Sequence, residues 1–227
     1  GLAMNASISG VPYDDNWPAR RKVVGLFISS DASRNASGDP NVVLSAADEG
    51  IEGVAMWLAS EEVVTVPHGM SMDEAVRSVD DGEVSRQRIE AILQGLLSYA
   101  RDNKGKLPPA DSWCDLVLLY APTDQNANEL FWCPATPGLD YAWAINEDLA
   151  GEDIRTIEGH DRQVLLLPAK DGVRNEARAV PETVKEGRYL VPWSEGPRLA
   201  VRVGMLNGEV KTVCEGDSYP RPPAVGP

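Results

Sequence analysis

Apolar positions at three- and four-residue steps mark one stretch above all others, residues 85–113. Ile89, Ile92, Leu93, Leu96, Leu97 and Ala100 fall on a single helix face, and Arg86, Gln87, Arg88 and Glu90 are left for solvent. Ser85 is the expected N-cap. At the far end Gly105 can take the left-handed position, and Pro108-Pro109 cannot continue a helix. A sheet is expected to pack on this stripe.

Ahead of that helix the pattern shortens. Residues 1–20 mix Asn, Ser, Gly, Pro and Asp and read as a linker or loosely docked arm. Residues 22–29 (KVVGLFIS) and 62–66 have strand character, and 41–45 could add a short strand. Between them Ile51, Val54, Ala55 and Leu58 stand at helical spacing within 46–60, weakened by Gly50 and Gly53. Ser71 and Glu74 make a capping box that opens a short helix to about Val79, closed by Asp80-Asp81-Gly82. Residues 21–82 therefore read as a small α/β unit.

Behind the helix, residues 114–121 are apolar, as helix or strand, and 131–134, 141–146 and 164–167 are strand candidates. Residues 198–203 alternate apolar and polar, and 205–213 contain Asn207-Gly208, a strong hairpin signal. The tail, 218–227, is Pro-rich. The fold class implied is α+β: a long amphipathic helix on an antiparallel sheet across 83–217, preceded by the small α/β unit.

Composition narrows the partners. Of 227 residues, 43% are hydrophobic and 25% charged, enough for a globular core. The formal net charge of -14 repels nucleic acid and anionic lipid, so neither is expected as a partner. No apolar run approaches the roughly 20 residues of a membrane span, so a membrane could be met only through a removed N-terminal segment.

The familiar catalytic patterns fail in turn. The chain has no Gly-x-Gly-x-x-Gly, Walker loop, His-Glu-x-x-His or Ser-x-x-Lys, and no enzymatic activity is expected. Ser71, beside His68, is better explained as a helix cap than as a nucleophile. His160 with Asp161 is a distant acid/base candidate. If the chain is exported, Cys114 and Cys133 are the expected disulfide, since both flank the segment after the long helix; three unpaired thiols, some of them buried, are the alternative.

An ordered set of phrases adds a resemblance. Tyr99-Ala100-Arg101-Asp102-Asn103-Lys104-Gly105-Lys106-Leu107-Pro108-Pro109 is followed by Trp113, by an apolar segment ending in Tyr120, and by Phe131-Trp132-Cys133-Pro134. Tyr141 to Asn146 and the pair around Asn207-Gly208-Glu209 close the series. From about residue 85 to 213 the chain resembles bacterial prepilin-like proteins, the pseudopilins of type II secretion. The resemblance implies a pilin-like domain, extracytoplasmic localisation in the periplasm or at the cell surface, and a non-enzymatic structural role among other protein subunits. It places Trp113 and Trp132 in the core, leaving Trp143 and Trp193 as stacking surfaces for a ligand such as a glycan or peptide. Pseudopilins can also hold calcium in a C-terminal loop, which here points to Glu147, Asp148, Glu152, Asp153 and Asp161, with Glu158 close by. The chain departs from the family where Asp80-Asp81-Gly82-Glu83 replaces an apolar helix and Glu209 replaces a His. An extracytoplasmic ligand-binding module on the same fold is therefore the alternative role.

Overall fold

The computed structural model describes residues 2–4, 23–28, 54–58, 63–66, 72–121, 127–191 and 198–222. The chain divides into two units, residues 1–80 with 189–199, and residues 81–188 with 200–227. The readings at 41–45, at His68 and Ser71, at Trp193 and in the last five residues fall outside the described residues.

The first unit holds a four-stranded antiparallel sheet, β1 (Leu2–Met4), β2 (Val23–Ile28), β3 (Val54–Leu58) and β4 (Val63–Val66), paired in chain order. Two expectations are corrected. Leu2–Met4 is an edge strand rather than part of a loose arm. Val54–Leu58 is a strand rather than part of a helix. The run Val-Ala-Met-Trp-Leu is apolar at every position, and periodicity alone cannot separate a short buried strand from a helix segment.

Helix α1 runs unbroken from Met72 to Asp102, 31 residues. It merges the two helices expected on either side of Asp80-Asp81-Gly82. Ser85 is not an N-cap; it lies inside the helix, fully buried. The reason is a stripe longer than its large side chains show. Val79, Gly82, Ser85, Ile89, Ile92, Leu93, Leu96 and Ala100 are all buried along one helix face, with the small residues Gly82 and Ser85 between Val79 and Ile89. On the outer face Arg86 bridges Glu83, at 2.5 Å, and Glu90, carrying helical pairing past the glycine.

The helix ends in a Schellman motif. Gly105 N donates to Ala100 O at 2.8 Å. The left-handed residue at its heart is Lys104 (φ +59), and Gly105 follows at φ +88, so two successive residues have positive φ. A non-glycine residue there carries a steric cost of about 1–2 kcal/mol. Lys104→Gly should raise the unfolding free energy by roughly 0.5–1 kcal/mol in urea titrations, after the extra chain entropy of glycine is offset. No gain would mean that Lys104 holds its conformation through contacts of its own.

After α1 come α2 (Trp113–Leu118) and α3 (Ala127–Phe131). The strand expected at 131–134 is absent; Phe131 closes α3, and its ring packs edge-on against Trp113 at 5.4 Å. The second sheet contains β5 (Trp143–Asn146), β6 (Val164–Pro168), β7 (Ala177–Arg178), β8 (Tyr189–Val191), β9 (Arg198–Met205) and β10 (Val210–Cys214). Its order is β10-β9-β6-β5-β7, with β8 also paired to β9. The sheet is mixed rather than antiparallel, because β7 runs parallel to β5. Every residue of β5 and β6 is buried, as suits central strands. The β9–β10 hairpin turns as expected at Asn207-Gly208. Gly208 N bonds Met205 O at 3.0 Å, and Gly208 at φ +90 takes the left-handed place after the turn.

Candidate functional site

The segment between β5 and β6 is built around one buried amide. Asn146, 5% exposed, donates from Nδ2 to Val164 O at 2.8 Å and accepts at Oδ1 from Asp148 N at 3.1 Å. It thereby fastens both ends of the loop. The exit of α1 fastens the middle: Leu107 N donates to Glu152 O (2.9 Å), Gly151 N to Pro108 O (3.0 Å) and Ile154 N to Gly105 O (2.8 Å). Gly105 is favoured here by its φ of +88; a Cβ would also press on the exposed Arg155 side chain, which can move aside.

This framework leaves a cleft of about 860 Å³. Asp148, Glu152, Glu158 and Asp161 line it with Arg162, and Leu149 and Ile157 give it an apolar part. Four carboxylates face one guanidinium, so the local field is negative. The Arg162–Asp161 contact, 3.7 Å between groups more than half exposed, adds little to stability. The chemistry available is attraction of a cationic group, with apolar surface for its stem.

The five carboxylates of the calcium reading do not gather at one point. Among the described residues no group of three or more His, Cys, Asp or Glu is placed to hold a metal ion. Glu147 and Asp153 do not line the cleft. Asp153 is engaged instead by Arg155, whose Nε and backbone N donate to it at 2.8 and 3.0 Å. Those hydrogen bonds hold the Asp153 carboxyl at about 2, below its ordinary value of 3.8. Its contribution to stability is therefore complete above about pH 4 and lost as pH falls through 2. A carbon-detected NMR titration should find its midpoint near 2, and Arg155→Gln should return it toward the ordinary value. An ordinary midpoint in the unmodified protein would refute the pairing.

The other candidates disperse. Trp143 is 2% exposed on β5 and cannot stack on a ligand, whereas Trp132, expected in the core, is 37% exposed under the Arg88 guanidinium at 5.1 Å. The two exchange roles because β5 is buried at every position, while Trp132 stands just past the end of α3. His160 Nε2 lies 2.8 Å from Ile154 O, a backbone contact rather than an acid/base pair with Asp161.

Cys114, Cys133 and Cys214 are buried as thiols, without a Cys114–Cys133 bond. Burial pushes the Cys114 thiol up to about 12. The folded protein should accordingly resist a disulfide-exchange reagent at pH 8, then release all three thiols in guanidinium. Rapid labelling of the native protein, or fewer than three thiols after unfolding, would contradict the structure.

Sequence reasoning found the acidic loop but missed Arg155 as its neutralising partner, although a cation two residues from Asp153 was a readable signal. It also missed Glu176, a buried carboxylate that receives the backbone N–H groups of Lys170 (2.6 Å), Asp171 (3.0 Å) and Gly172 (2.9 Å). Among the described residues no helix is long and apolar enough to cross a membrane. Comparison with family models, with curated proteins and with solved structures gives no match to this chain.

Proposed function

We propose that this chain is a non-enzymatic structural or assembly component of a bacterial cell-surface or secretion system, with a pseudopilin-like core in which the long helix lies on the sheet. One observation carries the reading: α1 and the last hairpin pack together, with the Leu93 and Leu97 side chains lying over Gly204 and Gly208. A Cβ on Gly204 of β9 would stand 2.8 Å from Leu93 Cδ2, and one on Gly208 would stand 3.3 Å from Leu97 Cδ1. In this reading the buried stripe of α1 is architecture, and the acidic exterior meets other subunits outside the cytoplasm.

Mass spectrometry of the mature N-terminus, made on protein from its own host and combined with in-cell cross-linking, tests it. A processed, methylated end with cross-links to neighbouring subunits supports assembly. An unprocessed end on a chain that cross-links to nothing would sink the proposal.

The acidic cleft favours a second reading, an extracytoplasmic module that binds a cationic ligand. Titration with a short lysine peptide at low and high salt separates the two. Saturable, salt-sensitive binding lost in Asp148→Asn with Glu158→Gln supports the module, and no binding at low salt removes it.

A further inference from the structure

The second sheet ends on β10, which has β9 on one side and, among the described residues, no strand on the other. The register of the pair fixes which backbone groups of β10 point outward. Met205 N donates to Glu209 O at 2.8 Å, and from there hydrogen-bonded pairs alternate with non-bonded ones. Lys211 and Val213 therefore exchange bonds with Val203 and Val201, while the N–H and C=O groups of Val210 and Thr212 face away from β9. The same phase turns Ala200 of β9 away from β10, and its carbonyl accepts from Arg188 N at 2.7 Å.

Two backbone donors and two acceptors thus line this edge, and none of them is bonded to another described residue. Thr212 is exposed and Val210 half-buried. Proteins discourage pairing at such an edge by shortening or bulging it, or by setting proline or an outward lysine on it. The opposite edge follows that rule, since β7 has two residues. β10 has five and no proline. Its one lysine leaves the edge open: Lys211 Nζ donates to Asp161 O at 2.5 Å, just ahead of β6, so the side chain reaches back over β9.

Charge selects what can add there. Glu209 and Glu215, both exposed, stand immediately before and after the strand, in a chain of net charge -14. A second copy fits poorly. The two-fold antiparallel register that joins Thr212 to Thr212 sets each Glu209 opposite Glu215 of the other copy, and like charges directly opposite are destabilising. Centring on Lys211 opposes two lysines. Centring on Val213 requires the Cys214 carbonyl, which Asp217 N already occupies at 3.0 Å. An extended segment with Lys or Arg on either side of five β-forming residues meets both glutamates instead.

We propose that β10 is a docking edge, where another protein adds an extended, basic-ended segment as the next strand of the sheet, bonded to the backbone of Val210 and Thr212. The proposal rests on the assembly reading for the kind of partner, another subunit. Its test does not involve N-terminal processing, so the two can fail separately.

The probe is a cyclised β-hairpin peptide whose outer strand reads Lys-Thr-Val-Thr-Val-Thr-Lys, preformed so that little order is lost on binding. It is titrated into the full chain at low salt and followed by amide-resolved NMR. In the free protein the amides of Val210 and Thr212 should exchange with solvent far faster than those of Lys211 and Val213. The hairpin should bind saturably and slow exchange at Val210 and Thr212. Thr212→Pro removes an outward N–H and leaves the β9 ladder intact; it should weaken binding about tenfold or more, through the lost hydrogen bond and the bulk of the ring. Glu209→Lys, a surface change, should weaken it about fivefold. Val210 and Thr212 amides already protected in the free protein, no saturable binding, or either variant binding as tightly as the unmodified protein refutes the docking edge.

Discussion

Glu176→Ala is expected to lower the unfolding free energy by about 3 kcal/mol or more. The carboxylate receives three backbone N–H groups from Lys170, Asp171 and Gly172 and is 8% exposed. Hydrogen bonds to a charged group contribute about 1.5–3 kcal/mol each when buried, and truncation leaves all three donors without an acceptor. The loss should also spread. Asn175 next door accepts Cys114 N at 2.8 Å through Oδ1, capping α2, and Glu176 O accepts Trp113 Nε1 at 3.1 Å. Glu176→Gln keeps the volume but turns an amide NH2 toward backbone donors, so it should recover only part of the loss. Equilibrium urea unfolding of both variants measures this, and a change below 1 kcal/mol for the alanine would mean that the nest is solvated.

Gly95→Leu should be comparably damaging, by about 3 kcal/mol, and even Gly95→Ala should destabilise. On an exposed helix face the alanine change would stabilise by roughly 0.5–1 kcal/mol. At Gly95, however, a Cβ would meet Val117 Cγ1 at 2.9 Å, Val117 O at 3.1 Å and Ala121 N at 3.3 Å. Two of those atoms are backbone, so α2 itself must shift, and overpacking of this kind costs about 1–3 kcal/mol. The steric term wins over helix propensity. A stabilising Gly95→Ala, measured as a higher melting temperature, would show that α2 yields easily and that the close approach of the two helices is not a constraint.

The parts of this structure that were legible from sequence are those set by neighbours along the chain. The stripe from Ile89 to Ala100, the Asn207-Gly208 hairpin and the strands at Val23–Ile28, Val63–Val66 and Val164–Pro168 all follow from local pattern. The continuity of α1 through Asp80-Asp81-Gly82 was hidden because Gly82 and Ser85 are core positions with small side chains, indistinguishable in sequence from breakers. The parallel pairing of β7 with β5 depends on a two-residue strand that no periodicity can announce. The site followed the same rule. An acidic loop could be read from composition, but whether its carboxylates converge on one point depended on Arg155 capturing Asp153.

The bonds from the helix exit to residues 151–154 change how this region comes apart. The last turn of a helix ordinarily frays on its own, because nothing beyond it holds the chain. Here the carbonyls of Gly105 and Pro108 and the amide of Leu107 are all engaged by a segment distant in sequence. Unwinding α1 from that end means breaking those bonds together, and the acidic loop opens with it. In amide exchange these irregular segments should accordingly behave as one cooperative block with the sheet they join, with exchange of Leu107, Gly151 and Ile154 reporting the opening of the whole unit rather than the motion of a surface loop.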